Sequence, residues 1–200
     1  MVMNICTAPP PLSRLTPHLI LAKNGSGNFT TISEALDAMP HKYTGRFVIY
    51  IKSGIYKENV VVTQRMVNIT IYGDGYMRSI VTGNKNYKDG FMLADTATFA
   101  VLGDGFMAQY IGFINTAGPI KEQAVALQVH SNHAVFLNCL MEGYQDTLYV
   151  HFGVLSDCQI TGTIDFIFGD ATTVFQNCNI YLRKPLKNQE NVVMAQGKKK

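Results

Sequence analysis

The chain has no tryptophan and little charge: only 16% of its 200 residues are Asp, Glu, Lys or Arg, against roughly 25% in ordinary soluble domains. The net charge of +3 includes the terminal lysines 198–200, so the remaining surface is close to neutral. That balance argues against a nucleic-acid-binding face. A weak positive charge would suit an acidic polymer, although ordinary surface lysines explain it more simply.

Long apolar runs and clustered cysteines are also missing. Residues 1–17 contain four prolines and no unbroken apolar segment, so they predict neither a signal peptide nor a membrane span. The four cysteines, at 6, 139, 158 and 178, lack the spacing of metal ligands, and no metal site is predicted. The last three recur at intervals of 19 and 20 residues, which fits stacked core positions at least as well as a disulfide.

One helix is predicted, from Thr31 to Met39. Thr31 and Glu34 have the spacing of a capping box, and Pro40 stops the helical pattern. The Gly-x-Gly before this helix lacks the third glycine of a dinucleotide-binding fingerprint and the Gly-Lys-Ser/Thr of a P-loop, which disfavours nucleotide binding. The apolar face of the helix is predicted to comprise Ile32, Ala35, Leu36 and Met39.

The rest of the chain predicts β-structure. Short β-branched and aromatic runs alternate with turns such as Gly73-Asp74-Gly75, and no second helical pattern separates them. This arrangement argues against an α/β sheet. Strands are predicted at 18–22, 47–52, 59–63, 68–72, 98–102, 134–137 and 172–175.

A repeat narrows the all-β prediction further. Similar segments carry Asn115, Asn138, Asp157 and Asn177, at intervals of 23, 19 and 20 residues. A period near 20 with a recurring Asn or Asp corner is typical of the stacked rungs of a β-solenoid. A β-sandwich with similar strand spacing is the alternative.

In a solenoid, Gln123, Gln145 and Asp165 would form a column, because they are 22 and 20 residues apart and successive rungs lie about 4.8 Å apart. Asp146 follows Gln145 directly. Two interacting carboxylates separate in pKa, so that one can act as an acid and the other as a base or nucleophile. Glutamine amides can stabilise an oxyanion. The alternative is a polar ladder that only satisfies buried turns.

The five histidines suggest no other hydrolytic site. The chain has no Gly-x-Ser-x-Gly motif, and His130, His133 and His151 have no Ser or Cys partner in an informative local motif. His130 and His133 are three residues apart, which in a strand places them on opposite faces and disfavours a shared metal.

Four ordered motifs resemble those of plant-type pectin methylesterases. They are Gly-Ile-Tyr-Lys-Glu-Asn at 54–59, Gln-Ala-Val-Ala-Leu at 123–127, Gly-Tyr-Gln-Asp-Thr-Leu-Tyr at 143–149 and Gly-Thr-Ile-Asp-Phe-Ile-Phe-Gly at 162–169. The resemblance indicates a domain over 21–197, after a proline-rich lead (1–20) and before a basic tail (198–200). It implies a right-handed parallel β-helix of the pectin lyase-like type.

The resemblance also implies a reaction: hydrolysis of the methyl esters of galacturonosyl units in pectin to carboxylate and methanol, in the cell wall after secretion. It requires neither a metal nor an organic cofactor. Asp165 would be the nucleophile, and Asp146 the acid and then the base. Gln145 and Gln123 would hold the oxyanion, with Gln123 also touching substrate. Tyr144 and Phe168 would line the sugar groove.

The chain also departs from the family's pattern. The family continues through a Leu-Gly-Arg-Pro-Trp segment, so C-terminal rungs are expected to be missing here, and Arg183 is not assigned the role of that segment's arginine. The stretch between Tyr149 and Cys158 is about two residues shorter than in the family, which predicts a shift of register between Asp146 and Asp165. Leu93 replaces a substrate-contacting threonine.

Two other functions are therefore kept open. One is a noncatalytic homologue or fragment that at most binds pectin. The other is a pectin-acting β-helix that cleaves the polymer chain, which fits the fold but not the four motifs.

Overall fold

Short β-branched and aromatic runs form strands of three to five residues throughout the chain. The computed structural model describes residues 16–40, 42–170 and 172–197. The strands in the described residues are β1 (Leu19–Leu21), β2 (Phe47–Ile51), β3 (Gly54–Lys57), β4 (Val60–Val62), β5 (Ile69–Gly73), β6 (Ser79–Gly83), β7 (Phe99–Val101), β8 (Met107–Gln109), β9 (Gly112–Asn115), β10 (Leu127–Val129), β11 (Val135–Leu137), β12 (Leu140–Glu142), β13 (Leu148–Val150), β14 (Phe152–Ser156), β15 (Gln159–Gly162), β16 (Ile167–Gly169), β17 (Thr172–Gln176), β18 (Asn179–Leu182) and β19 (Met194–Gln196).

From β2 onward, every third strand joins the same parallel sheet, and β1 adds to the end of the sheet that contains β2. Sheet A contains β1, β2, β5, β8, β11, β14 and β17; sheet B contains β3, β6, β9, β12, β15 and β18; and sheet C contains β4, β7, β10, β13, β16 and β19. One strand from each sheet makes one rung, for example β11, β12 and β13. The right-handed parallel β-helix is confirmed, and the β-sandwich alternative is wrong.

The core is built from aligned inward positions on successive rungs. In sheet A the pairing aligns one such column, and its five inner members are buried: Ile49, Ile71, Ala108, Phe136 and Leu155. Each rung therefore buries its apolar side chains against its neighbours, as a solenoid requires.

Left-handed backbone conformations form the corner between sheets A and B. Tyr110, Asn138, Asp157 and Asn177 all have φ between 50° and 58°. Asn and Asp tolerate this conformation better than most residues, which explains the Asn or Asp in the repeat. The prediction that Asn115 belongs to this corner is wrong: Tyr110 occupies it, and Asn115 ends β9.

The predicted helix is present as α1 (Ile32–Asp37), with Ile32, Ala35 and Leu36 buried. The Thr31 Oγ1 atom caps it by accepting a hydrogen bond from the Glu34 N–H at 3.3 Å. The sequence did not reveal a second cap. The Glu58 carboxylate accepts bonds from the backbone N–H groups of Ile32 and Ser33 at 2.8 and 3.0 Å, where the helix dipole favours a negative charge.

The rung between Asp146 and Asp165 stays in register, so the predicted shift is wrong. Within the shortened stretch, β14 pairs with β11 and β17, and Leu155 aligns with Phe136 and Phe175. The shorter stretch is accommodated because β14 begins directly after His151.

The cysteines behave as the stacking interpretation predicts. Cys139, Cys158 and Cys178 are free thiols. The first two are fully buried, and the Cys158 thiol lies 3.5 Å from the Phe136 carbonyl oxygen of the preceding rung.

Other predictions fall partly or wholly on residues that the structure does not describe. Cys6, most of the lead (1–20) and the tail (198–200) lie outside the described residues. Within the described part of the chain, no helix is long and apolar enough to cross a membrane.

Candidate active site

The two aspartates singled out by the sequence occupy equivalent turn positions on successive rungs. Asp146 precedes β13 and Asp165 precedes β16, in each case by two residues, and Leu148 of β13 pairs with Ile167 of β16. The Asp146 N–H donates to the Ile164 carbonyl at 3.1 Å, which extends the parallel register through the turns. Both residues have positive φ angles, 62° and 46°. The chain thus stacks two carboxylates one rung apart.

The two glutamines lie one register position earlier. The Ala124 N–H donates to the Gln145 carbonyl at 3.2 Å, so Ala124 is level with Asp146, and Gln123 is level with Gln145. The predicted column is therefore correct for the two glutamines and off by one residue for Asp165. Both glutamines are half-buried, and the Gln123 Oε1 atom is buried without a hydrogen-bond partner.

Asp146 and Asp165 open into a cleft of about 410 Å³. Its lining comprises Leu93, Asp146, Tyr149, His151, Asp165, Phe168, Gly169, Asp170, Ala195, Gln196 and Gly197. Three of these are carboxylates, and the aromatic and aliphatic members form its apolar walls. Gln123 and Gln145 adjoin the cleft through their turns but do not belong to this lining.

Asp146 has a strongly perturbed acidity. Its side chain is only 7% exposed. Burial, followed by the neighbouring Asp165 carboxylate, raises the pKa of Asp146 from 3.8 to about 7. Both causes disfavour the charged form, the first by desolvation and the second by repulsion. Near neutral pH, Asp146 can therefore exist as a protonated acid beside a carboxylate.

An aromatic stack forms one wall of the cleft. The rings of Tyr149 and Phe168 are stacked with centroids 4.6 Å apart and an interplanar angle of 3°, because β13 and β16 place them side by side. Phe168, which the sequence analysis singled out, belongs to the cleft lining, and its predicted contact with sugar stays a prediction; Tyr149 was not singled out. Leu93, at the supposed threonine position, packs like these two rings against the buried cluster of Ala97, Ala100 and Val125.

His151 and Asp170 are further cleft residues that the sequence analysis missed. The His151 Nδ1 atom contacts an Asp170 carboxylate oxygen, and its ring lies 4.0 Å from that of His130. Burial and the neighbouring His130 lower the pKa of His151, while Asp170 acts in the opposite direction. Their positions follow from register across rungs, which no local motif reveals.

Tyr144 does not belong to the lining of this cleft, and its predicted place in a sugar groove stays a prediction. Its ring lies beneath the Arg183 guanidinium, 4.1 Å from ring centroid to Cζ. Among the described residues, no group of three or more His, Cys, Asp or Glu side chains could hold a metal ion.

These features define a parallel β-helix that carries a cleft with two neighbouring carboxyl groups, one of which has a pKa raised to about 7. The Pectinesterase family model matches residues 18–200. The chain belongs to the pectinesterase family.

Individual relatives agree with this assignment. The chain is 55% identical over 92% of its length to "Probable pectinesterase/pectinesterase inhibitor 13" of Arabidopsis thaliana, and covers 30% of that protein. It superposes on pectin methylesterase from carrot with a TM-score of 0.91 and 45% identity, covering 93% of this chain and 59% of the other. A pectin methylesterase solved in complex with a hexasaccharide gives a TM-score of 0.80 at 31% identity, covering 88% of this chain and 58% of that one. The chain thus spans only part of the length of these relatives.

Proposed function

We propose that this chain is a pectin methylesterase that hydrolyses methyl-esterified galacturonosyl units to free carboxylate and methanol. One observation carries the proposal: a buried aspartic acid, Asp146, with a pKa of about 7, lies one rung from a second aspartate in an open cleft. Family membership supports it, and the hexasaccharide complex of a 31% identical pectin methylesterase supports a polymeric sugar as the substrate.

Asp165 and Asp146 have different roles in the proposed reaction. The Asp165 carboxylate attacks the ester carbonyl carbon and forms a tetrahedral intermediate. As this intermediate collapses, protonated Asp146 gives its proton to the departing methoxide, which leaves as methanol. Ionised Asp146 then takes a proton from a water molecule, which attacks the acyl-enzyme, releases the Asp165 carboxylate and leaves the product as an acid that loses its proton to solvent.

Gln123 and Gln145 are proposed to donate their side-chain amides to the oxyanion of the intermediate. They are level with each other on the two rungs, next to the turn of Asp146. Preorganised amide donors of this kind stabilise the negative charge that develops on the former carbonyl oxygen. Gln123 is also assigned a contact with the substrate.

The charge of the cleft favours a neutral ester over its product. Asp165 and Asp170 line the cleft, so an uncharged methyl ester avoids the repulsion that a galacturonate carboxylate meets there. The stacked rings of Tyr149 and Phe168 provide an apolar surface for the sugar. Hydrolysis therefore converts a favoured ligand into a disfavoured one, which promotes release of the product.

The test is methanol release from highly esterified pectin by the purified chain and by its Asp165→Asn variant. Asp157→Asn is the matched control, since Asp157 also has a positive φ but is exposed at the sheet A–B corner. We expect methanol from the parent chain and the control and none from Asp165→Asn, without new reducing ends. Retention on a pectin column without methanol release, or cleavage of the polymer, would contradict the proposal.

We also propose that the protein acts in the cell wall after secretion, because its polymer substrate is there. Recovery of the protein in the cell-wall fraction of its source tissue, and not in the cytosol, is the expected result.

A further inference from the structure

We propose that Arg183 is a positioning residue for the catalytic turn, defined as residues 143–147. This inference rests on the proposed function, because the turn matters only if Asp146 and Gln145 take part in the reaction. The Arg183 Nη1 atom donates to the Gly143 carbonyl oxygen at 3.0 Å and lies 3.3 Å from the Glu142 carboxylate. The guanidinium also covers the Tyr144 ring at 4.1 Å. Three contacts thus converge on the start of the turn.

Arg183 reaches the turn from two rungs away. It follows β18, and its backbone N–H donates to the Gly162 carbonyl at 2.8 Å, on the intervening rung. Because rungs are about 4.8 Å apart, only a long side chain spans the distance from there to Gly143. The planar guanidinium can donate to a carbonyl, pair with a carboxylate and stack on a ring at the same time, whereas a lysine ammonium cannot stack in this way.

The turn also has backbone anchors on the neighbouring rungs: the Gly143 N–H donates to the Thr161 carbonyl at 3.2 Å, the Gln145 carbonyl accepts from the Ala124 N–H at 3.2 Å, and the Asp146 N–H donates to the Ile164 carbonyl at 3.1 Å. The Thr163 N–H donates to the Tyr144 carbonyl at 2.8 Å, and the Thr147 Oγ1 atom donates to the same carbonyl at 3.3 Å. Arg183 fixes the carbonyl one residue earlier and the Tyr144 ring. Without Arg183 the backbone bonds remain, but the Gly143 carbonyl and the Tyr144 ring each lose a contact, so the side chains of Gln145 and Asp146 beside them are held less firmly.

If Arg183 and Glu142 formed a purely structural ion pair, removing Arg183 would affect stability and leave turnover unchanged. The Arg183 and Glu142 side chains are 29% and 33% exposed, and ion pairs that water can reach add only about 0–1 kcal/mol to stability. A displacement of about 1 Å in a catalytic group, by contrast, can lower the rate on the order of 100-fold. The inference therefore predicts a large effect on turnover and a small one on stability.

The first test compares Arg183→Ala, Arg183→Lys and the control Arg78→Ala, which alters an exposed arginine remote from the catalytic turn. For Arg183→Ala we expect kcat to fall on the order of 10- to 100-fold, with KM changed less than about two-fold. Arg183→Lys should retain part of the activity. Added guanidinium at millimolar concentration should partly restore Arg183→Ala and leave Arg78→Ala unchanged.

The second test does not depend on activity. In Arg183→Ala, the backbone amide of Asp146, bonded to the Ile164 carbonyl, should exchange with deuterium faster than in the parent chain. The amide of Leu140, at the start of β12 and bonded to the Ile111 carbonyl, should be unaffected. Unchanged exchange at Asp146, or equally faster exchange at both amides, would overturn the inference. A parent chain that releases no methanol would refute the proposed function, while this exchange comparison would still decide the role of Arg183.

Discussion

Burying an acid that must ionise should make the folded chain less stable as the pH rises. The pKa of Asp146 is raised from 3.8 to about 7, so between these values the folded state binds a proton that the unfolded state releases. Stability contributed by such a group is lost as pH rises through this window and stays lost above it. At about 1.4 kcal/mol per pKa unit, the cost at pH 8 is about 4 kcal/mol. At pH 4, close to the unfolded-state pKa of 3.8, most of the cost has disappeared.

Asp146→Asn removes this cost because the amide is neutral at every pH. We expect the variant to exceed the parent chain in unfolding free energy by up to about 4 kcal/mol at pH 8, and to match it closely near pH 4. Urea unfolding at both pH values measures the difference. The control is Asp157→Asn, which makes the same substitution at an exposed residue of similar φ (55° against 62°). A pH-independent effect of Asp146→Asn, or an equal effect in the control, would refute the reasoning.

Three other predictions concern the Asp146–Asp165 pair, the Glu58 cap of α1 and the absence of a metal from the proposed reaction. In Asp165→Asn, the pKa of Asp146 measured by carbon-13 NMR should fall below its value in the parent chain but stay above 3.8, because burial, the larger cause, remains; an unchanged value would exclude repulsion by Asp165. Glu58→Gln should lower the unfolding free energy by about 1–2 kcal/mol, because it removes the negative charge at the start of α1. The control Glu34→Gln, on the exposed side of that helix, should lower it less. Urea unfolding measures both variants. Methanol release should be unchanged by EDTA, since the proposed steps use only carboxylates, amides and water; a loss of activity that calcium restores would contradict them.

The fold was predictable because stacked rungs need similar residues at equivalent positions, so the rung length appears in the sequence as a repeat. The predicted strand 47–52 is observed as Phe47–Ile51, and 134–137 as Val135–Leu137, since each is a short apolar run bounded by turn residues. The strand Leu148–Val150 was not predicted, because three residues cannot display an alternating pattern. Tyr110 was missed as a corner residue because a positive φ is unusual for an aromatic side chain.

The site was less predictable, because it depends on register between turns of different length. Local sequence identified Asp146 and Asp165 through their motifs, but the equal-spacing column placed Asp165 level with the wrong neighbour. Asp170 was missed because nothing in its local sequence marks it. Its role in the cleft depends on its contact with His151, which arises from the pairing of β13 and β16 in sheet C. The contacts of Arg183 with Gly143 are invisible to any local pattern, since the two residues are 40 positions apart.

The left-handed backbone at both aspartates decides how their chemistry should be tested. With φ of 62° and 46°, Asp146 and Asp165 occupy a conformation that costs most side chains roughly 1–2 kcal/mol, and that Asp and Asn adopt with less strain because they can hydrogen-bond locally. An alanine at either position would therefore combine backbone strain with loss of the carboxylate, and the turn could shift its neighbouring glutamine as well. Asparagine keeps the shape and the backbone preference and removes only the charge and the proton. A loss of methanol release in the Asn variants, with Asp157→Asn fully active, thus reports on the carboxylates themselves, whereas the same loss in Ala variants would not distinguish the chemistry from the turn that presents it.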